Sequence, residues 1–79
     1  MVLSRTERRA KLGTLAEIEG FAEVQDLLEA ASYDSVSPGI CTNQGCDYTT
    51  EIEPDQRHGH CEECRTGTVQ GALVLAGLV

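Results

Sequence analysis

The sequence predicts a small α+β domain that needs a staple beyond its apolar core. Three observations carry this expectation. The chain has 79 residues with one Phe, two Tyr and no Trp, so few large side chains can fill an interior. A domain of this size buries only about 60% of its unfolded surface and is marginal on core packing alone. Helical spacing of apolar residues marks the first half, and strict alternation marks part of the second. Finally, all four cysteines and both histidines fall in one stretch, CTNQGCDYTTEIEPDQRHGHCEEC, at residues 41–64.

The first half reads as a pair of helices. Residues 1–13 hold Arg5, Arg8, Arg9 and Lys11 and are expected as a flexible basic arm. Thr14-Leu15-Ala16-Glu17 has the form of a capping box, with Thr14 as N-cap and Glu17 at N3. Gly20 ends this first helix, and Phe21 folds back as the apolar residue after the glycine. A second helix is expected over residues 22–31, with Val24, Leu27, Leu28 and Ala31 on its apolar stripe and Glu23, Asp26 and Glu29 in water. One long helix with Gly20 inside it is the alternative, at about 1 kcal/mol relative to Ala. The helical segment as a whole spans residues 14–35.

Residues 32–39 read as a connector in which Ser37-Pro38-Gly39 stops any helix and sets up a turn. Residues 47–53 alternate, with Tyr48, Thr50 and Ile52 on one face, as a half-buried strand does. Pro54-Asp55 turns the chain, and residues 56–60 return toward the second cysteine pair. The tail, residues 68–79, is apolar nearly all round. A short helix capped by Thr68 is expected there, buried in the domain or against a partner. The β-branched Val69, Val74 and Val79 leave a strand as the alternative.

The cysteines are spaced Cys41-x4-Cys46, then fourteen residues, then Cys61-x2-Cys64. Zinc takes four tetrahedral soft ligands, and loops of two to four residues place two sulfurs on one ion. Gly45 supplies an unusual backbone angle for the first loop, and Gly67 could do so after Cys64. The fourteen-residue insert suits a β-hairpin that brings the two loops together. Cys41, Cys46, Cys61 and Cys64 are therefore expected to hold one structural Zn2+. Three cysteines plus His58 form the alternative ligand set; His60, adjacent to Cys61, is awkwardly placed. Iron also accepts four thiolates. Arg57 or Arg65 could temper the negative charge of such a site.

These knuckle-like pairs resemble the zinc-ribbon class, two metal-binding loops joined by short antiparallel strands, over about residues 38–68. The first pair is longer by two residues than the commoner spacing. The segment PGICTNQGCDYTTEIEPDQ, with GHCEEC and the apolar tail, also resembles short uncharacterised zinc-binding proteins of bacteria and phages. The resemblance implies a zinc-bound domain and no activity. The expected architecture is thus an α+β metal-stapled unit: a helix pair, a zinc ribbon over residues 36–79 and a short C-terminal apolar helix. Residues 14–79 would fold as one unit.

Composition narrows the function. The net charge is −7. Residues 1–11 hold four of the six basic side chains against one acid, and the remainder holds two against twelve. An acidic body repels phosphate, so nucleic acid is a poor partner except through the arm. A closed four-cysteine shell leaves no position for a reacting water. Cys61-Glu62-Glu63-Cys64 lacks the electropositive setting of a redox dithiol. No secretory h-region or spanning segment is visible, which points to a reducing, cytoplasmic location. The expectation is a non-catalytic protein-interaction or regulatory adaptor with a protein partner, no membrane and no small-molecule substrate, with Leu75 or Leu78 on the contact surface. A nucleic-acid-binding transcriptional regulator that uses the basic arm is the alternative.

Overall fold

A computed structural model describes residues 3–79. The elements run α1 (Arg5–Glu19), α2 (Val24–Tyr33), β1 (Ser37–Cys41), β2 (Thr49–Ile52), β3 (Gly59–Cys61), β4 (Thr66–Gly71) and α3 (Ala72–Leu75).

Helix α1 starts well before Thr14, so the expected flexible arm is helical from Arg5 onward. Met1 and Val2, the first residues of that arm, lie outside the described residues. The cause is an earlier capping box. Glu7 N–H donates to Ser4 Oγ, and Ser4 N–H donates to Glu7 Oε1, both at 3.1 Å. This Ser-x-x-Glu has the same form as Thr14-x-x-Glu17, and buried Leu12 extends the stripe of Leu15 and Ala16 back toward it. Thr14 sits inside the helix, its hydroxyl donating to Ala10 O. The C-terminal end follows expectation. Gly20 is left-handed at φ +84°, its N–H donates to Glu17 O, and Phe21 N–H donates to Ala16 O at 2.8 Å. Phe21 then packs on the helical core. Helix α2 lies two residues later than expected, with Leu27 and Ala31 buried and Val24 and Leu28 packed beside them.

The sheet order is β2-β1-β4-β3, antiparallel throughout. Two expectations are corrected here. Ser37-Pro38-Gly39 is not a turn but the start of β1, one of the two central strands. Proline is tolerated because pairing with β4 begins only at Gly39, so Pro38 faces a paired strand on one side alone. The hairpin expected across the fourteen-residue insert is also absent, since β2 and β3 lie at opposite edges. Each cysteine loop turns sharply enough to pair the strands that flank it, β1 with β2 and β3 with β4, and β1–β4 pairing joins the two hairpins. The edges meet where the Ile52 side chain approaches the Gly59 backbone: a Cβ on Gly59 would lie 3.2 Å from Ile52 Cγ2. The sheet is therefore curled.

The tail is strand first and helix second. Thr66–Gly71 forms β4, bonded to strands on both sides, and only Ala72–Leu75 is helical. Thr68 is thus a strand residue, not a cap. Helix α3 is buried along its whole length, so Leu75, 3% exposed, is core and not contact surface, whereas Leu78 is 62% exposed.

Two cores occupy opposite faces of the sheet. Leu12, Leu15, Ala16, Leu27, Ala31, Ile40, Ala72, Leu73 and Leu75 form the helical core. Cys41, Ile52, Cys61 and Val69 form the other, with Cys46, Tyr48 and Cys64 against it. Gly39 lies under this second core, where a Cβ would meet Ile52 Cδ1 at 2.8 Å and Val69 Cγ1 at 3.0 Å. Gly39→Ala is expected to cost about 1–3 kcal/mol through overpacking. Gly13, inside α1, should behave oppositely. A Cβ there would meet nothing within 4 Å, and Gly13→Ala should add about 0.5–1 kcal/mol. Urea unfolding of the metal-loaded variants checks both signs.

Candidate metal centre

The strand ends build the site. Cys41 closes β1 and Cys61 closes β3, both fully buried. Cys46 and Cys64 arrive from the two loops and are half-buried. In the first loop, Cys41 N–H donates to Tyr48 O at 2.8 Å and Cys46 N–H to Asn43 O at 3.2 Å. Gly45 makes the turn at φ +82°, as its type suggests. In the second, Arg65 N–H donates to Cys61 O at 2.7 Å, and Cys64 N–H donates to Cys61 Sγ at 3.3 Å. The left-handed residue of this loop is Arg65, at φ +57°, and not Gly67. Gly67 is small for another reason: a Cβ there would press on His58 O at 3.3 Å.

The four Sγ atoms lie within 4.8 Å of one another. Cys41–Cys64 and Cys46–Cys61 are separated by 3.9 and 3.7 Å. Thiolates at about 2.3 Å from a tetrahedral ion stand about 3.8 Å apart. These separations fit that figure and are far from the about 2.05 Å of a disulfide. The four cysteines are placed to hold a metal ion. His58 and His60 are exposed and, among the described residues, outside the cluster.

Of the two arginines expected near the site, Arg57 lies elsewhere. Arg57 donates to Val79 O at 2.8 Å, at the C-terminal end of the chain. A cation that does meet the first cysteine loop is Lys11, the chain's one lysine. Its ammonium donates to Asn43 O at 2.9 Å and to Cys46 O, fastening α1 to the first loop. It also stands 3.7 Å from Asp47 Oδ1. The Lys11 side chain is only 12% exposed, so its carbonyl bonds outweigh the pairing with Asp47, which is 64% exposed. Thr68 Oγ1 lies 3.2 Å from Cys41 Sγ and 2.9 Å from Thr66 Oγ1. Glu63 Oε2 is 3.7 Å from Cys46 Sγ, an unfavourable neighbour once that sulfur is a thiolate. Sequence reasoning passed over Lys11 and Thr68. Lys11 meets backbone carbonyls, which carry no residue signature, and Thr68 looked like a helix cap.

The neighbouring sulfurs oppose ionisation of Cys46. A backbone hydrogen bond at Tyr48 lowers the Cys46 thiol. Burial and bonding to the Cys64, Cys41 and Cys61 sulfurs raise it, and the balance is pushed up to about 12. Metal binding therefore releases protons. Comparison with known protein families, with curated proteins and with solved structures finds no match. The site is accordingly read from its own geometry.

Opposite pH responses follow for the two forms. The metal-free fold should lose stability as pH rises above about 9, where unfolded thiols ionise and the Cys46 thiol resists. Metal affinity should instead rise with pH. Chelator competition and thermal unfolding across pH 6–10 check these signs. Lys11→Met should weaken metal retention by about tenfold or more, the loss of two charged hydrogen bonds at a largely buried amine. Arg65→Gly should stabilise the loaded protein by about 1 kcal/mol by removing the left-handed penalty.

Proposed function

We propose that Cys41, Cys46, Cys61 and Cys64 bind one structural Zn2+ in a zinc-ribbon-type site, and that the domain is a protein-interaction or regulatory adaptor without catalysis. The observation that carries this reading is the close approach of four thiols, two from each loop. Four protein ligands complete a tetrahedral shell and leave no place for a reacting water. Zinc is favoured over a polynuclear iron–sulfur cluster because separate irons hold their thiolates farther apart than these sulfurs stand. With chemistry set aside, the surface is what remains to act. It is acidic, and it exposes Tyr33, Val36, Ile18, Leu78 and Val79, with Tyr33 91% exposed. Among the described residues no helix is long and apolar enough to cross a membrane. A reducing, cytoplasmic setting suits free thiols that bind metal.

A nucleic-acid-binding regulator is the second reading. Arg5, Arg8 and Arg9 gather on the first turns of α1, on one groove. The acidic body opposes a long polyanion beyond that patch.

Native mass spectrometry of the purified chain should give one zinc per chain and no visible iron absorbance. Cys41→Ser and Cys61→Ser should each abolish zinc retention and lower the unfolding midpoint to that of the metal-free chain, while His58→Ala and His60→Ala keep both at the loaded protein's values. Zinc retention by the cysteine variants, or its loss in the histidine variants, would refute the ligand assignment.

A further inference from the structure

The two turns that open α1 meet the start of α2 and the end of α3 around a groove of about 700 Å³. Its accessible apolar floor comes from Leu3, Val24 and Ala76, with the buried Leu12 and Leu75 beneath them. Its polar lining is Arg5, Arg8 and Arg9, with no acid among the lining residues. This is the reverse of the chain at large, which has thirteen acids against six basic residues. Among the described residues, none of these three guanidiniums forms an ion pair, and Arg8 Nε is buried without a hydrogen-bond partner. A buried, unpaired guanidinium nitrogen costs free energy unless something binds it.

We propose that this groove docks an acidic, apolar segment of a protein partner, carboxylates on Arg5, Arg8 and Arg9 and an apolar side chain on the floor between them. The inference rests on the adaptor reading and names its surface. Charge complementarity selects the carboxylates, since arginine pairs with them in a two-pronged geometry and is enriched at protein interfaces. The floor selects an apolar residue beside them. An enclosed small molecule would need most of its surface buried. Here Arg5, Arg9 and Gly77 are exposed and Arg8 is half-buried, so the groove suits a chain laid across it. A nucleic acid would gain little from the apolar floor. The net charge of −7 over the whole chain also opposes a long polyanion.

The test uses the zinc-loaded full chain. A random peptide library displayed on phage is selected against it, and the selected peptides are titrated into the isotope-labelled protein. Peptides rich in Asp or Glu beside Leu, Ile or Phe are expected, shifting amides of the groove. Arg5→Gln with Arg9→Gln, both at exposed sites, should weaken them by about tenfold or more, and Arg8→Gln should do so separately. Unchanged zinc content and melting would show that the variants fold. Selected peptides without acids, or with equal affinity for the variants, overturn the proposal. If acidic peptides instead shift amides around Tyr33 and Val36, the groove assignment falls and the adaptor reading stands. Single-stranded or duplex DNA that shifts the groove amides more strongly than any peptide overturns both.

Discussion

Two sulfurs from the β1–β2 turn and two from the β3–β4 turn gather within 4.8 Å of one another, with separations of 3.7 and 3.9 Å between the hairpins. The arrangement of the whole chain depends on this closure. Either hairpin alone is marginal in water. Structural zinc in small finger peptides contributes about 10–16 kcal/mol near neutral pH, comparable with the about 5–15 kcal/mol of a whole domain. The curled sheet, with its short edge strands, needs no larger interior on that side. Ile52, Val69 and the sulfurs fill it, and glycines at 39 and 59 let them close together.

The helical side rests on β1 and α3 and is fastened to the first cysteine loop by Lys11. Ile40, Ala72, Leu73 and Leu75 supply the floor under Leu15 and Leu27. The ammonium of Lys11 ties α1 to the carbonyls of the first cysteine loop. The first cysteine loop and the arginine-lined groove are thus both joined to α1. Its apolar stripe runs from Leu12 through Ala16.

Local signals were legible in the sequence and pairing was not. Cysteine spacing anticipated that the four thiols gather in one place, because short loops constrain geometry directly. Gly20 and Phe21 announced their helix end, since a left-handed residue followed by an apolar one is a local device. The α2 stripe needed only periodicity. The start of α1 was ambiguous because Ser4-x-x-Glu7 and Thr14-x-x-Glu17 offer the same box, and only packing of Leu12 decides between them. Strand order depends on which partners bury Ile40 and Val69, a property of the assembled sheet. The tail failed as an all-helix reading because Thr66, Thr68 and Val69 suit a strand with neighbours on both sides, and a lone sequence does not display its neighbours.

Strand β1 carries one further consequence. Ile40 belongs to the helical core and Cys41, its immediate neighbour, to the cysteine core. The strand is a partition whose successive side chains serve different interiors. A deletion or insertion of one residue within it would turn a sulfur toward the leucines and a branched alkyl group toward the thiols. Length variation over evolutionary time should therefore accumulate at residues 53–58, which link the sheet edges, and be purged from residues 39–41, where the reading frame of the two faces is set.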